Sequence, residues 1–209
     1  MREKEQIWQE MLALLEAAYG GIGPALKFNS VFQLLIAVIL SAQTNDNQVN
    51  KITAELFREH GTPETMAELS EEELIAYIRT CGLYKNKAKN IYQTTRILLE
   101  QYNGQVPGDR ESLMKLPGVG RKTANVVLSV GFHEPALAVD THVFRVAHRM
   151  GFSESKTPDG VERDLCAIIP RENWADAHHW LIWHGRKVCS AKKPDCARCP
   201  VGSLCPQLL

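Results

Sequence analysis

The sequence predicts an all-α protein, on three observations. Apolar residues recur at helical spacing through most of the chain, no stretch shows the period-2 alternation of a long strand, and glycines fall where helix C-caps are expected. Candidate helices span 4–18, 30–41, 46–60, 71–80, 86–102, 110–115, 121–131, 141–150, 159–168 and 173–185. Gly61, Gly82, Gly104, Gly131 and Gly151 sit at expected helix ends, and Asn29, Ser70 and Asp140 at expected N-caps. Val106-Pro107 and Glu134-Pro135 mark breaks.

The first helix lies in MREKEQIWQEMLALLEAAYG and reads as amphipathic, with Ile7, Met11, Leu14, Leu15 and Ala18 on one side. Its charged start is not that of a signal peptide. The longest apolar run, VFQLLIAVIL at 31–40, is too short to span a membrane and contains Gln33. A cytoplasmic, reducing location with no membrane partner is therefore expected. The segments 30–41 and 124–130 are apolar nearly all round, which predicts that both are central. CGLYKNKAKNI (81–91) echoes PGVGRKTANVV (117–127), as two helix-turn-helix units would.

With 209 residues, 44% of them hydrophobic and 23% charged, the chain can bury the core of one or two small globular domains. The 24 basic and 24 acidic residues cancel, so net charge does not identify a partner. Acidic residues gather in EKEQIWQE (3–10) and PETMAELSEEE (63–73); basic ones gather in KNKAK (85–89), at Arg121 and Lys122, and from Arg186 to Lys193. Such local basic faces can hold a polyanion, though each is also what a solvated surface looks like.

Two stretches carry chemistry. LPGVGRKTANVVLSV (116–130) suggests a phosphate loop, but Arg121 rather than glycine precedes Lys122 and Leu116 occupies the earlier glycine position. That argues against a nucleotide hydrolase. Near the chain end, CSAKKPDCARCPVGSLC (189–205) places Cys189, Cys196, Cys199 and Cys205 at spacing C-x6-C-x2-C-x5-C. Four thiolates so close in a reducing compartment read as a metal site. Zinc sites of this kind usually pair two knuckles, and only one is present, so the spacing favours an iron–sulfur cluster while leaving zinc open. Cys81 and Cys166, in apolar helical contexts, are expected to be buried, inert thiols.

Together these stretches resemble the endonuclease III family of DNA repair enzymes. LPGVGRKTANVV is similar to the family's helix-hairpin-helix, AVDTHVFRV (138–146) to its catalytic aspartate segment, and 189–205 to its [4Fe–4S] loop. LLIAVILSAQTND (34–46) and GLYKNKAKNI (82–91) also resemble family segments in the expected order, so the likeness covers essentially the whole chain. The departure is Asn45, where similar proteins carry threonine, a change that bears on lesion preference.

The resemblance implies a two-domain helix-hairpin-helix DNA glycosylase fold. A six-helix domain would span 24–134, and residues 1–23 would join 135–209 in a domain holding the [4Fe–4S] cluster on the four cysteines. It implies a monomer, nucleoid-associated and of bacterial or archaeal type, acting on double-stranded DNA that contains damaged pyrimidines or abasic sites. The implied reaction is removal of an oxidised pyrimidine followed by β-elimination through a lysine Schiff base.

The residues suit those roles. Gly118 and Gly120 let helix-opening N–H groups approach a phosphate, with Arg121 beside them. Lys122, near the positive end of a helix, beside Arg121 and in apolar surroundings, is expected to yield a neutral amine able to attack a sugar carbon. Asp140 would help deprotonate it and offset positive charge developing on the sugar, although its sequence context is equally that of an N-cap. His142 is expected to orient the site or contact DNA. The resemblance gives Gln43 and Leu83 the tasks of filling the gap and wedging the stack when a nucleotide is flipped out, and sets Lys192 and Lys193 against phosphates. Two alternatives share parts of this pattern. A monofunctional glycosylase of the same fold would not need Lys122, and a non-enzymatic hairpin module would not need Asp140.

Overall fold

The computed structural model describes residues 2–208, and among these there is no β-strand. In chain order the helices are α1 (Arg2–Tyr19), α2 (Val31–Ser41), α3 (Asp46–Glu59), α4 (Pro63–Ala67), α5 (Glu71–Ile78), α6 (Tyr84–Tyr102), α7 (Arg110–Met114), α8 (Arg121–Val126), α9 (Thr141–Arg149), α10 (Pro158–Ile168) and α11 (Trp174–Lys187). No helix among the described residues is long and apolar enough to cross a membrane. The chain divides into two compact units, Pro24–His133 and Met1–Gly23 with Glu134–Leu209.

The Pro24–His133 unit is built around α2, whose residues Phe32 to Leu40 are all buried. Gln33 is tolerated in that run because both ends of its amide are used. Its Nε2 donates to the Gly61 carbonyl at 3.3 Å and its Oε1 accepts from the Asn29 N–H at 2.9 Å. The N-cap of α2 is Ser30, one residue after the position expected, because the Ser30 hydroxyl accepts the Gln33 N–H at 3.2 Å. The expected helix over 121–131 begins as α8 and widens into a π-helical turn from Val127 to Gly131. Gly131 is consequently not a C-cap. A Cβ there would stand 3.0 Å from the Val31 side chain, so glycine lets the π-turn lie against α2.

One helix was absent from the sequence reading. Helix α4 opens with Thr62 as N-cap, a capping box to Thr65 and a proline in the first turn, a local signal legible in TPET but overshadowed by the acidic residues around it. Ser70 caps α5 as expected, with Glu73 closing a capping box.

In the other unit, α1 buries Met11, Leu12, Leu15 and Tyr19 against Val143, Val146, Met150, Leu165, Trp180 and Leu181. The buried face is rotated from the expected one: Leu14 is 38% exposed and Ala18 is exposed, while Leu12 and Tyr19 are inside. Trp8 packs against the same core and sets the stripe at 8, 11, 12, 15 and 19, the i, i+3, i+4, i+7 spacing of a helix face. Gly151, at φ +69°, follows α9 as the sequence led one to expect, and Gly104, at φ +74°, does the same after α6. Cys81 is buried, but Cys166 is only half-buried.

Candidate functional site

In the Pro24–His133 unit, the hairpin 115–120 joins α7 to α8. Val119 is buried and anchors the turn in the core, while Gly118 and Gly120 on either side of it are exposed. Gly118 sits at φ +80°, and a Cβ there would come 2.8 Å from the Asn90 side-chain nitrogen, so the turn needs glycine on two counts. Thr94, one turn along α6 from Asn90, donates its hydroxyl to the Pro117 carbonyl at 3.0 Å. The hairpin is thus braced from below by α6. No side chain caps α8, whose N-cap is Gly120, and a Cβ at Gly120 would meet nothing within 4 Å. The opening of α8 therefore has no side-chain cap and has room beside Gly120. Arg121 is half-buried; Lys122, at the second position of α8, is exposed rather than set in apolar surroundings.

Gln43 and Leu83, each in a turn, are among the non-glycine residues of this unit in the left-handed region. Gln43 has φ 55° and Leu83 φ 59°, both are exposed, and Leu83 keeps 54% of its surface. Backbone of this kind costs about 1–3 kcal/mol per residue and persists where surrounding contacts enforce it, often at sites that act on a ligand. The structure brings the two turns together: the Gly82 N–H donates to the Thr44 hydroxyl at 3.3 Å, and a Cβ on Gly82 would lie 3.0 Å from the Gln43 carbonyl oxygen. Asn45 caps α3, its Oδ1 accepting the Gln48 N–H at 2.9 Å. The departure at this position therefore serves a cap, a task threonine also performs.

Leu83→Gly should separate side chain from backbone. Glycine removes the cost of a left-handed leucine, so thermal stability should hold or rise by up to about 1 kcal/mol. If the side chain wedges a base stack, base excision from duplex should nevertheless fall more than cleavage in single-stranded DNA. Equal losses on both substrates would make Leu83 a packing residue.

In the other unit, Asp140 is the N-cap of α9, and its Oδ1 accepts both the His142 and Val143 N–H groups at 2.8 Å. Oδ2 takes neither bond. Asp140 and His142 are half-buried, and His142 Nδ1 lies 3.2 Å from Arg145 Nη2. The same helix then reaches the cysteine loop. Arg145 Nη2 donates to the Gly185 carbonyl at 2.8 Å and its Nε to the Cys189 carbonyl at 3.1 Å. One turn on, Arg149 donates to the Ser190 and Ala191 carbonyls at 2.7 and 2.9 Å. These two arginines were missed in the sequence; their i, i+4 spacing in THVFRVAHR was the available signal. They fasten the loop from which Lys192 and Lys193, both exposed, project.

Cys189, Cys196, Cys199 and Cys205 line one cavity together with Arg149, His184 and Gln207. Arg149 Nη1 donates towards Cys189 Sγ at 3.5 Å and the Gln207 N–H towards Cys205 Sγ at 3.4 Å. His184 lies between Tyr19 and Cys199, with Nδ1 3.1 Å from the tyrosine hydroxyl and Nε2 3.7 Å from the sulfur. Burial pushes His184 down to about 4, so its ring is neutral at neutral pH and holds a single N–H. Burial, together with the neighbouring cysteines, pushes the Cys199 and Cys205 thiols up. Among the described residues no three His, Cys, Asp or Glu side chains converge as they would on one ion. Four sulfur donors around a shared cavity, two of them facing N–H donors, fit a polynuclear body better than a single metal.

Comparison with known proteins completes the picture. The HhH-GPD superfamily of base excision DNA repair proteins matches residues 36–171, a span that includes the hairpin and the Asp140 segment. Endonuclease III of Escherichia coli strain K12 is 54% identical over 180 residues, covering 86% of this chain and 85% of that one. Endonuclease III of Bacillus subtilis strain 168 is 49% identical over 181 residues, covering 86% and 83%. A solved structure of a trapped endonuclease III–DNA covalent intermediate, an estranged-adenine complex, superposes with a TM-score of 0.93 at 46% identity, covering 97% of this chain and 96% of that one. The chain belongs to the HhH-GPD superfamily of base excision DNA repair proteins and, within it, to the endonuclease III family of DNA glycosylases with lyase activity.

Proposed function

We propose that the protein excises oxidised pyrimidines from double-stranded DNA and nicks the resulting abasic site by β-elimination, with Lys122 as nucleophile. The observation that carries this reading is Lys122 itself. It is exposed, one residue from an uncapped helix opening and a glycine turn that can hold a phosphate. Gly118, Gly120 and Arg121 then anchor the strand without reading its sequence. Gln43 and Leu83 enter the duplex, one filling the gap left by the flipped nucleotide and the other wedging the stack.

The neutral amine of Lys122 forms a bond to C1′ as the bond from C1′ to the base breaks, the departing base taking up the proton the nitrogen sheds. The C1′–O4′ bond then opens, O4′ gaining a proton from water, to leave a protonated Schiff base. Imine formation acidifies C2′; loss of that proton expels the 3′ phosphate and nicks the strand. Asp140, through the carboxylate oxygen not spent on its helix cap, draws the proton from Lys122 and offsets charge on the sugar. His142 keeps that carboxylate oriented, since its own N–H is one of the two that Asp140 Oδ1 accepts.

Cys189, Cys196, Cys199 and Cys205 hold a [4Fe–4S] cluster, which supplies a charged cross-link for its loop rather than a reacting atom. The loop, fastened by Arg145 and Arg149, presents Lys192 and Lys193 to phosphates. The protein acts as a monomer in the cytoplasm, associated with the nucleoid.

Two measurements test this reading. Duplexes each carrying one defined lesion, with base release and strand cleavage scored separately, should show both products for oxidised pyrimidines. Base release without a nick would indicate a monofunctional glycosylase. The purified protein should be yellow-brown and contain about four irons per chain, with a broad band near roughly 400 nm from thiolate-to-iron charge transfer. Stoichiometric zinc without iron after anaerobic purification would overturn the cluster assignment. Cys196→Ser should lower solubility and DNA affinity before it touches chemistry.

A further inference from the structure

Lys87 is a buried charged group that the proposed chemistry does not use. Lys87 lies in the first turn of α6, only 4% exposed, and its hydrogen-bond partners are neutral. Its Nζ donates to the Leu40 carbonyl at 2.7 Å and to the Thr44 hydroxyl at 2.9 Å. Burying an ammonium without a carboxylate is costly, and burial does pull Lys87 below the ordinary lysine value. A methionine or leucine would fill the same space at no such cost, so packing alone does not account for the residue.

Its position does. Leu40 is in the last turn of α2, where carbonyls have no partner within their own helix. That helix does not close on a left-handed glycine; it runs out through Ala42 into the left-handed Gln43. Lys87 supplies the close donor from another helix, with positive charge at the negative end of α2, while the Cys81 thiol makes only a weaker contact to the same carbonyl at 3.9 Å. Thr44, immediately after Gln43, takes the second Lys87 bond and also accepts the N–H of Gly82, immediately before Leu83. A single hydroxyl therefore ties the Gln43 turn to the Leu83 turn, and the Lys87 ammonium holds that hydroxyl. A second tie, from Gln48 Nε2 to the Thr80 hydroxyl at 2.8 Å, lies outside this knot and is too far along the chain to set either left-handed residue.

We propose that Lys87 is a positioning residue, which with Thr44 locks the Gln43 and Leu83 turns in one register so that both side chains enter a duplex together. This rests on the reading that Gln43 and Leu83 contact DNA. Lys87 touches neither substrate nor the reacting atoms. Its contribution is confined to substrates in which a stack must be opened.

The test uses the full-length holoprotein carrying Lys87→Met, Thr44→Val or both, under single-turnover conditions. The substrates are a duplex with one oxidised pyrimidine and single-stranded DNA with one abasic site. For Lys87→Met, duplex excision should fall by roughly tenfold to a hundredfold, the scale that misplacement of about 1 Å produces. Cleavage of the single strand should change little, and the melting temperature should hold or rise, because an apolar side chain of similar length replaces a buried charge. Thr44→Val should give the same selective loss, and the double variant should be no worse than the more severe single one, as expected of one shared knot. Equal losses on both substrates, losses that simply multiply in the double variant, or an unchanged duplex rate would each overturn the proposal. Leu83→Gly run alongside separates the two levels. If it leaves duplex excision intact, the wedge reading itself fails and this inference with it; if it impairs duplex excision while Lys87→Met does not, only the role of Lys87 fails.

Discussion

Lys122→Gln should abolish strand nicking while leaving DNA binding nearly intact. Glutamine keeps part of the stem, a hydrogen-bonding head and helix preference, yet it cannot form an imine. Because Lys122 is exposed and its neighbours Ala124 and Asn125 carry the packing of α8, the substitution should not disturb the fold. If, as proposed, Gly118, Gly120 and Arg121 anchor the phosphate, abasic DNA should still bind, with only the modest loss that one missing charge entails. Nicking should fall by several orders of magnitude, since a covalent route is lost rather than a contact weakened. Borohydride added during turnover should leave a stable protein–DNA adduct in the unaltered protein, peptide mapping should place it on Lys122, and the variant should form none. A pure binding module predicts the reverse, weaker binding by the variant and no adduct from either protein. An adduct mapped to a different lysine, with Lys122→Gln fully active, would overturn the assignment.

Much of this was legible in the sequence because it is written in local signals. Ser70 announces α5 through a capping box, Gly104 and Gly151 take the left-handed positions that end helices, and 32–40 is buried as the nearly continuous apolar character of that run demands. The cysteine spacing likewise placed four thiols around one cavity. What was not legible depends on contacts distant in sequence. The face that α1 buries is chosen by Trp8 and the core it meets, not by the count of apolar residues on each side. The π-turn at 127–131 follows from the approach of Gly131 to α2, roughly a hundred residues earlier in the chain, and nothing in LSVG marks it. Lys122 could be found from its motif, but its exposure could not. Lys87 reads in the sequence as one more member of a basic cluster. Only the fold distinguishes it from the exposed Lys85 and Lys89 beside it.

Asp140 presents the harder separation, because a helix cap and a catalytic carboxylate make the same demands on sequence. The hydrogen bonding suggests how to divide them. Both cap bonds fall on Oδ1, which an asparagine reproduces with its amide oxygen, and asparagine ranks with aspartate as an N-cap. Asp140→Asn should therefore fold normally, losing at most the about 0.3–1 kcal/mol that a negative charge gains at the start of α9. It cannot take a proton from Lys122 or offset charge on the sugar, so base excision should slow by about two orders of magnitude or more. DNA affinity should hold or rise, since a negative charge near phosphates is gone. Asp140→Ala removes cap and carboxylate together and should cost about 1 kcal/mol of stability on top of the same catalytic loss. The catalytic reading thus predicts two equally slow variants of which only one is destabilised. If Asp140 were a cap alone, the asparagine variant would excise at the normal rate and only the alanine variant would suffer, in proportion to its lower melting temperature. Measuring rate and melting temperature on the same two preparations decides between them, and a fully active Asp140→Asn would remove the carboxylate from the mechanism.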